Sequence, residues 1–101
     1  MNFNGTGTPS IRASGNVSSI TDNGVGDYTI NFTSAMQDAN YSAEITGNSV
    51  ANGTNFTYLT EHFSGGSLSR TSTSIRVISG ASAGGQGGAT DHITVNVSIF
   101  R

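Results

Sequence analysis

Six carboxylates, two histidines and four arginines are the titratable or charged side chains of the 101-residue chain, apart from its three tyrosines. The carboxylates are Asp22, Asp27, Asp38, Glu44, Glu61 and Asp91, and the histidines are His62 and His92. General acid–base catalysis needs two such groups held at a chosen separation. Asp22 and Asp27 bracket Asn-Gly-Val-Gly, where aspartate is expected for the bonds its side chain makes to turn backbone. Glu61-His62 and Asp91-His92 are adjacent pairs, and neighbours along a strand point to opposite faces. Serine is abundant, but no Gly-x-Ser-x-Gly elbow presents one as a nucleophile. A glycan-cleaving enzyme would need two carboxylates about 5–9.5 Å apart across one groove. No spacing in the chain supplies them, so no catalytic residue is assigned and no enzyme is expected.

Metal and cofactor chemistry is equally thin. The histidines lack a His-x-His or His-x-x-x-His spacing, which leaves only one His copied around a symmetry axis as a route to a metal site. Asp22–Asp27 misses the ligand spacing of a calcium loop, and cysteine is absent, which removes disulfides and thiolate sites. The Gly84-Gly-Gln-Gly-Gly88 run has no lysine and no helix after it to hold a phosphate. No metal and no cofactor are expected. Asn-x-Ser/Thr sequons occur at Asn4, Asn16, Asn31, Asn40, Asn52, Asn55 and Asn96. Strands that alternate Asn, apolar, Thr generate them as a by-product. What remains is binding: Asn, Ser, Thr, Gly and Tyr donate and accept without charge, which suits neutral polyols and glycans. Asn52, Asn55, His62 and Gln86 are the loop candidates for a receptor contact, with Tyr58, His62 and Phe63 as possible stacking rings.

The elements that must position these residues follow from composition and periodicity. Ser, Thr, Asn and Gly account for over half the chain, charged residues for only 10%, and the net charge is −2. No basic excess exists to neutralise phosphates, which argues against nucleic acid, and no apolar run is long enough to enter a membrane. No charged segment followed by an apolar one opens the chain, so no signal peptide is expected. Val, Ile, Leu and Phe together number only 21 of 101 residues, a thin core for one domain spanning 1–101. Association of copies is a usual remedy for a thin core, so a homo-oligomer is expected.

Period-2 alternation dominates. Ile93, Val95, Val97 and Ile99 share one face of 92–99, and His92, Thr94, Asn96 and Ser98 the other. Tyr28, Ile30 and Phe32 form a second set, and Tyr41, Ala43 and Ile45 a third; weaker strands fall near Ile11–Ala13 and Val17–Thr21. Ser34–Tyr41 contains helix formers but is too short for more than a turn. Asn55–Phe63 and Thr73–Ser79 carry large apolar groups on both faces. One face meets the core, and Leu59, Phe63 and Ile78 are the candidates to meet another subunit. Asn23-Gly24 marks a hairpin between Asp22 and Asp27, while Gly80–Thr90 is too glycine-rich for a strand and is read as a loop. The expected fold is all-β: a single antiparallel β-sandwich, jelly-roll-like, of about seven to eight short strands.

The stretch Ile11–Tyr41, with Val-Ser-Ser-Ile-Thr-Asp-Asn-Gly followed by Gly-Asp-Tyr-Thr-Ile-Asn-Phe and Ala-Met-Gln-Asp-Ala-Asn-Tyr, resembles the C-terminal tip domains of tailed-bacteriophage tail fibres and related virion fibre proteins. The ending Val95-Asn-Val-Ser-Ile-Phe100 is similar to their terminal strand. Gln37 stands where that family's turn would have proline. The resemblance implies a homotrimer on a virion appendage that adsorbs to a bacterial surface glycan or protein receptor through loops such as Asn48–Asn55, Ser64–Arg70 and Gly80–Thr90. It designates no binding residue. The alternative is a structural virion module (head fibre, decoration or trimerisation domain) with no receptor of its own.

Overall fold

Strands form where apolar and polar residues alternate, because each strand can then turn one face to a core and the other to water. The computed structural model describes residues 1–13, 15–48, 56–64, 67–83, 86–89 and 94–100. Among them are eleven strands and no helix: β1 (Asn2–Asn4), β2 (Ser10–Ala13), β3 (Val17–Gly24), β4 (Asp27–Phe32), β5 (Ser42–Asn48), β6 (Phe56–Glu61), β7 (Phe63–Ser64), β8 (Ser67–Leu68), β9 (Ser74–Ala83), β10 (Gln86–Ala89) and β11 (Thr94–Phe100). Sheet I runs β2-β1-β11-β5. Sheet II runs β10-β9-β4-β3, with β6 on the other edge of β9; β7 and β8 form a separate small hairpin. All pairings are antiparallel.

The two sheets pack face to face in a sandwich-like arrangement. Sheet I supplies Phe3, Val95 and Val97; sheet II supplies Tyr28, Ile30, Ile75 and Val77; Tyr41, just before β5, completes the fully buried set. Phe3 and Tyr28 meet edge to face, with centroids 5.2 Å apart and ring planes at 77°, a geometry that the ring quadrupoles favour. The Tyr28 hydroxyl donates to the Gly5 carbonyl at 2.9 Å, so this buried polar group is satisfied. Around the core lies a half-buried rim that includes Val17, Ile20, Phe32, Met36, Ile45, Leu59 and Ile99. The core is as thin as the composition implies.

The expected inward residues turn to the core along β4, at Tyr41 and along β5, and at Val95, Val97 and Ile99 of β11, while Ile93 lies outside the described residues; Ser34–Tyr41 forms bends rather than a helix. The structure corrects four expectations. Gly80–Thr90 is not one loop: β9 continues to Ala83, and β10 returns against it with Gly87 opposite Ser82 and Gly88 opposite Ala81. Tertiary pairing to a neighbouring strand overrides the low strand preference of glycine here. The run Asn55–Phe63 does not continue as one strand, because β6 ends at Glu61 and Phe63 begins the β7–β8 hairpin. The strands also number more than seven to eight, since β1, β7 and β8 are too short to leave a periodic signal and β10 is hidden by its glycines.

The β3–β4 hairpin lies where expected, but its turn is Val25-Gly26 rather than Asn23-Gly24. Asn23 is the extra residue of a bulge between Asp22 and Gly24, and Gly24 pairs with Asp27. Gly24 (φ 135°) and Gly26 (φ 67°) take backbone conformations that side chains disfavour. At the other end of the hairpin Asn16 has φ 57°. Its Oδ1 accepts from the Ser34 N–H at 2.7 Å and its Nδ2 donates to the Ser34 carbonyl at 3.0 Å. The side chain thus acts as one more ladder rung, a role open to asparagine because it tolerates this conformation.

Candidate functional site

The register of sheet II determines what its outer face presents. Ile75, Val77 and Ser79 of β9 point inward, so Ser74, Arg76 and Ile78 point outward. Across β4 they stand beside Asn31, Thr29 and Asp27, and across β6 Ile78 stands beside Thr60. His62, one residue beyond β6, donates its N–H to the Arg76 carbonyl at 2.9 Å and so extends that row. On β3, Ser19 and Thr21 lie opposite Asn31 and Thr29.

These side chains bond to one another across the strands. Asn31 Nδ2 donates to Ser19 Oγ at 3.1 Å and to Thr21 Oγ1 at 3.0 Å. Asn23 Nδ2 donates to Thr29 Oγ1 at 2.8 Å and, more weakly, to Asp27 Oδ1 at 3.3 Å. Arg76 grips Asp27 as a fork, Nε to Oδ1 at 2.8 Å and Nη2 to Oδ2 at 2.6 Å, the bidentate geometry that makes such pairs strong. The Arg76 bonds hold the Asp27 carboxyl below the ordinary carboxylate value; partial burial opposes this, while the Arg76 charge, Asn23 and His62 assist. The result is a hydrogen-bonded face of neutral polar side chains with one ion pair among its described residues.

A second polar cluster faces inward. Glu61 is 8% exposed and lies on the core side of β6, opposite Val77. Arg70 Nε donates to Glu61 Oε1 at 2.8 Å, its Nη2 binds Oε2, its Nη1 binds the Tyr41 carbonyl, and its guanidinium stacks 4.8 Å from the Tyr41 ring centroid. The Tyr41 hydroxyl lies 3.0 Å from the Thr71 carbonyl and 3.1 Å from that of Ser74, both within bonding reach. Burial raises the Tyr41 hydroxyl above its ordinary value. The cluster ties the entry of β5, the end of β6 and the entry of β9 together. Because Glu61 points in, His62 is turned outward, where its Nδ1 meets Ser69 Oγ at 2.7 Å. Asp27 and Glu61 therefore lie on opposite faces of sheet II and front no common groove.

Of the residues singled out from sequence, His62 lies beside Arg76 on the outer face. Gln86 lies on β10 opposite Ala83, not in a loop. Asn52 and Asn55, with most of the Asn48–Asn55 segment, fall outside the described residues. Leu59 packs against the core and lines a 290 Å³ gap at the seam between β5 and β6. Phe63 is 61% exposed on the small hairpin, and Ile78 is half-buried on the outer face. The asparagines of four sequons serve the fold: Asn16 and Asn31 as above, Asn96 by accepting from Asn2 Nδ2 at 2.6 Å, and Asn4 by accepting from the Thr6 N–H at 3.0 Å and hydroxyl at 2.8 Å.

Nothing in the sequence pattern joins Asp27 to Arg76, because an aspartate beside a glycine turn is accounted for by turn chemistry. The outward parity of Asp27, Thr29 and Asn31 is visible in the alternation, but their partner strand is not. A separate 400 Å³ cleft opens between the sheets near Met1, Val17, Phe32, Met36, Val97 and Ile99. Its described lining sets apolar side chains beside Asn16, Ser98 and the Met1 amino terminus, and includes no titratable side chain. No group of three or more His, Asp or Glu side chains that would hold a metal occurs among the described residues.

Fold and face together define an all-β, two-layer antiparallel domain with a neutral polar sheet face. No protein-family model, curated protein or solved structure matches the chain.

Proposed function

We propose that the chain is a non-enzymatic attachment module, the tip of a virion fibre or spike, which works as a homotrimer and adsorbs to a glycan receptor on the bacterial surface. The observation that carries this reading is the outer face of sheet II. It is rich in neutral donors and acceptors that bond to one another across the strands, with Arg76 and Asp27 joined by a bidentate fork. Such a face suits hydroxyl-rich ligands and has no excess charge to attract polyanions. The Ile11–Tyr41 stretch that resembles virion fibre tips includes β2, β3 and β4, and so builds part of this face. Val25 (62% exposed), Phe63 (61%), Phe100 (54%) and Ile11 (40%) are large apolar side chains left to solvent in one copy. They supply surface for subunit contacts.

Two measurements test the reading. Light scattering at micromolar concentration is expected to give three times the chain mass, and a monomer refutes the trimer. Soluble trimer is expected to compete with particles for host cells, and a folded trimer that fails to compete refutes adsorption. The exposed apolar side chains also suit a structural virion module. That module would give the same mass without competition.

A further inference from the structure

We propose that Asn23, Asp27, Arg76 and His62, arranged around the Ile78 side chain on the outer face of sheet II, form a subsite for the vicinal hydroxyls of a neutral hexopyranose. The proposal rests on the attachment reading above and names the ligand class and the residues. Most of the face is occupied with itself: both N–H groups of Asn31 are used by Ser19 and Thr21. The Asp27–Arg76 pair differs. An ionised carboxylate has about four lone-pair sites and a guanidinium five N–H donors. Arg76 gives two of those donors to Asp27, and among the described side chains Asp27 takes only Asn23 in addition. Acceptor and donor capacity therefore stand side by side.

A sugar hydroxyl donates and accepts at once, so a vicinal pair needs that combination at one place. The two side chains retain 23% and 37% of their exposure, which leaves them within reach of a ligand. The positive charge is neutralised within the fork, so an anionic sugar gains little there. Ile78 sits between Asp27 and Thr60 in its row and offers an apolar floor to the C–H face of a pyranose ring. His62 bounds the site beyond Arg76, with Nδ1 engaged by Ser69 and Nε2 as the remaining ring nitrogen. The main groups stand on paired strands and hold one another, which is the preorganisation a weak polar ligand requires. Ile78 is thereby given to the ligand, and this face stays out of the subunit contact.

The test titrates ¹⁵N-labelled full chain with the methyl glycosides of mannose, glucose and galactose. Amide shifts are expected at Asp27, Thr29, Thr60, His62, Arg76 and Ile78 with at least one of the three. Thr60→Arg, an exposed position that would fill the site, is expected to abolish them. Asp27→Asn is expected to weaken binding roughly 10- to 100-fold, the loss of one charge-assisted bond. Ser42→Arg, on sheet I, is expected to bind as the parent does. The proposal is overturned if the folded chain shows no shifts, if shifts cluster elsewhere, if Thr60→Arg binds normally, or if N-acetylneuraminate binds more tightly than the neutral glycosides. Competition with particles for host cells, run on the same proteins, separates the two ideas. Parent and Thr60→Arg competing equally sinks the subsite and keeps attachment. Glycoside shifts without competition keep the subsite and sink attachment.

Discussion

Replacing Glu61 by glutamine removes the carboxylate that neutralises Arg70 while keeping the size of the side chain. In the native chain two Arg70 N–H groups bond the Glu61 carboxylate, and the side chains are only 16% and 8% exposed. Removing one partner of a buried ion pair costs about 3–5 kcal/mol, because the other charge is left without compensation. Arg70 keeps the Tyr41 carbonyl and ring, and its residual exposure admits water, so a smaller loss of about 2–3 kcal/mol is expected. With an unfolding entropy of about 2.1 cal/mol/K per residue, this lowers Tm by roughly 10–14 °C. The assay is calorimetric melting at fixed protomer concentration, since association makes Tm depend on concentration. A double variant, Glu61→Leu with Arg70→Met, replaces the pair by apolar groups and should recover most of the loss. A shift below about 3 °C for Glu61→Gln, or a double variant as unstable as the single one, refutes the reasoning. The same single change should also disturb the His62 amide resonance, because Glu61 and His62 are neighbours turned to opposite faces.

Tyr41→Phe keeps the ring beneath Arg70 but strips the hydroxyl from the Thr71 and Ser74 carbonyls; a loss of about 1–2 kcal/mol is expected from chemical denaturation. Asp27 has its folded value depressed below the ordinary 3.8, so the stability it contributes is present above that value and fades as pH falls through the folded one. The stability gap between the parent chain and Asp27→Asn should narrow as pH falls below about 4, and stay within about 1 kcal/mol because the pair is partly solvated. A gap that widens below about pH 4 contradicts the pairing. Gly24→Ala has open space around its new methyl yet is expected to cost about 1–3 kcal/mol, because φ is +135°. Gly15→Ala, also in open space but without a positive φ, should be neutral or stabilising by up to about 1 kcal/mol in the same melts.

Much of the architecture is legible in the amino-acid sequence. The alternation in 28–32, 41–45 and 94–99 identifies which side chains turn inward, because a pleated strand has a side-chain period of two whatever its partner. The hairpin between Asp22 and Asp27 is legible for a similar reason, since its glycines announce positive φ. Its bulge is not, because an inserted residue shows only against the opposite strand. Gly87 and Gly88 look like loop residues until β9 lies beside them. The split after Glu61 is hidden because no glycine or proline interrupts Asn55–Phe63.

The candidate face is less legible than the fold. His62 stands out as a binding residue from its type alone, while Asp27 and Arg76 read apart, one as turn chemistry and the other as an outward strand position. They are 49 residues apart in sequence and meet only because β4 pairs with β9 in one register. Composition and periodicity by themselves determined an all-β chain, thinly cored, nearly uncharged and rich in neutral hydrogen-bonding groups, because those properties are sums over residues or local alternations. Only the tertiary structure decided that Glu61 is enclosed with Arg70 while Asp27 is presented with Arg76. Which face a charged strand residue meets, and which distant residue stands beside it, depends on strand order and register, and these are set by the whole core at once.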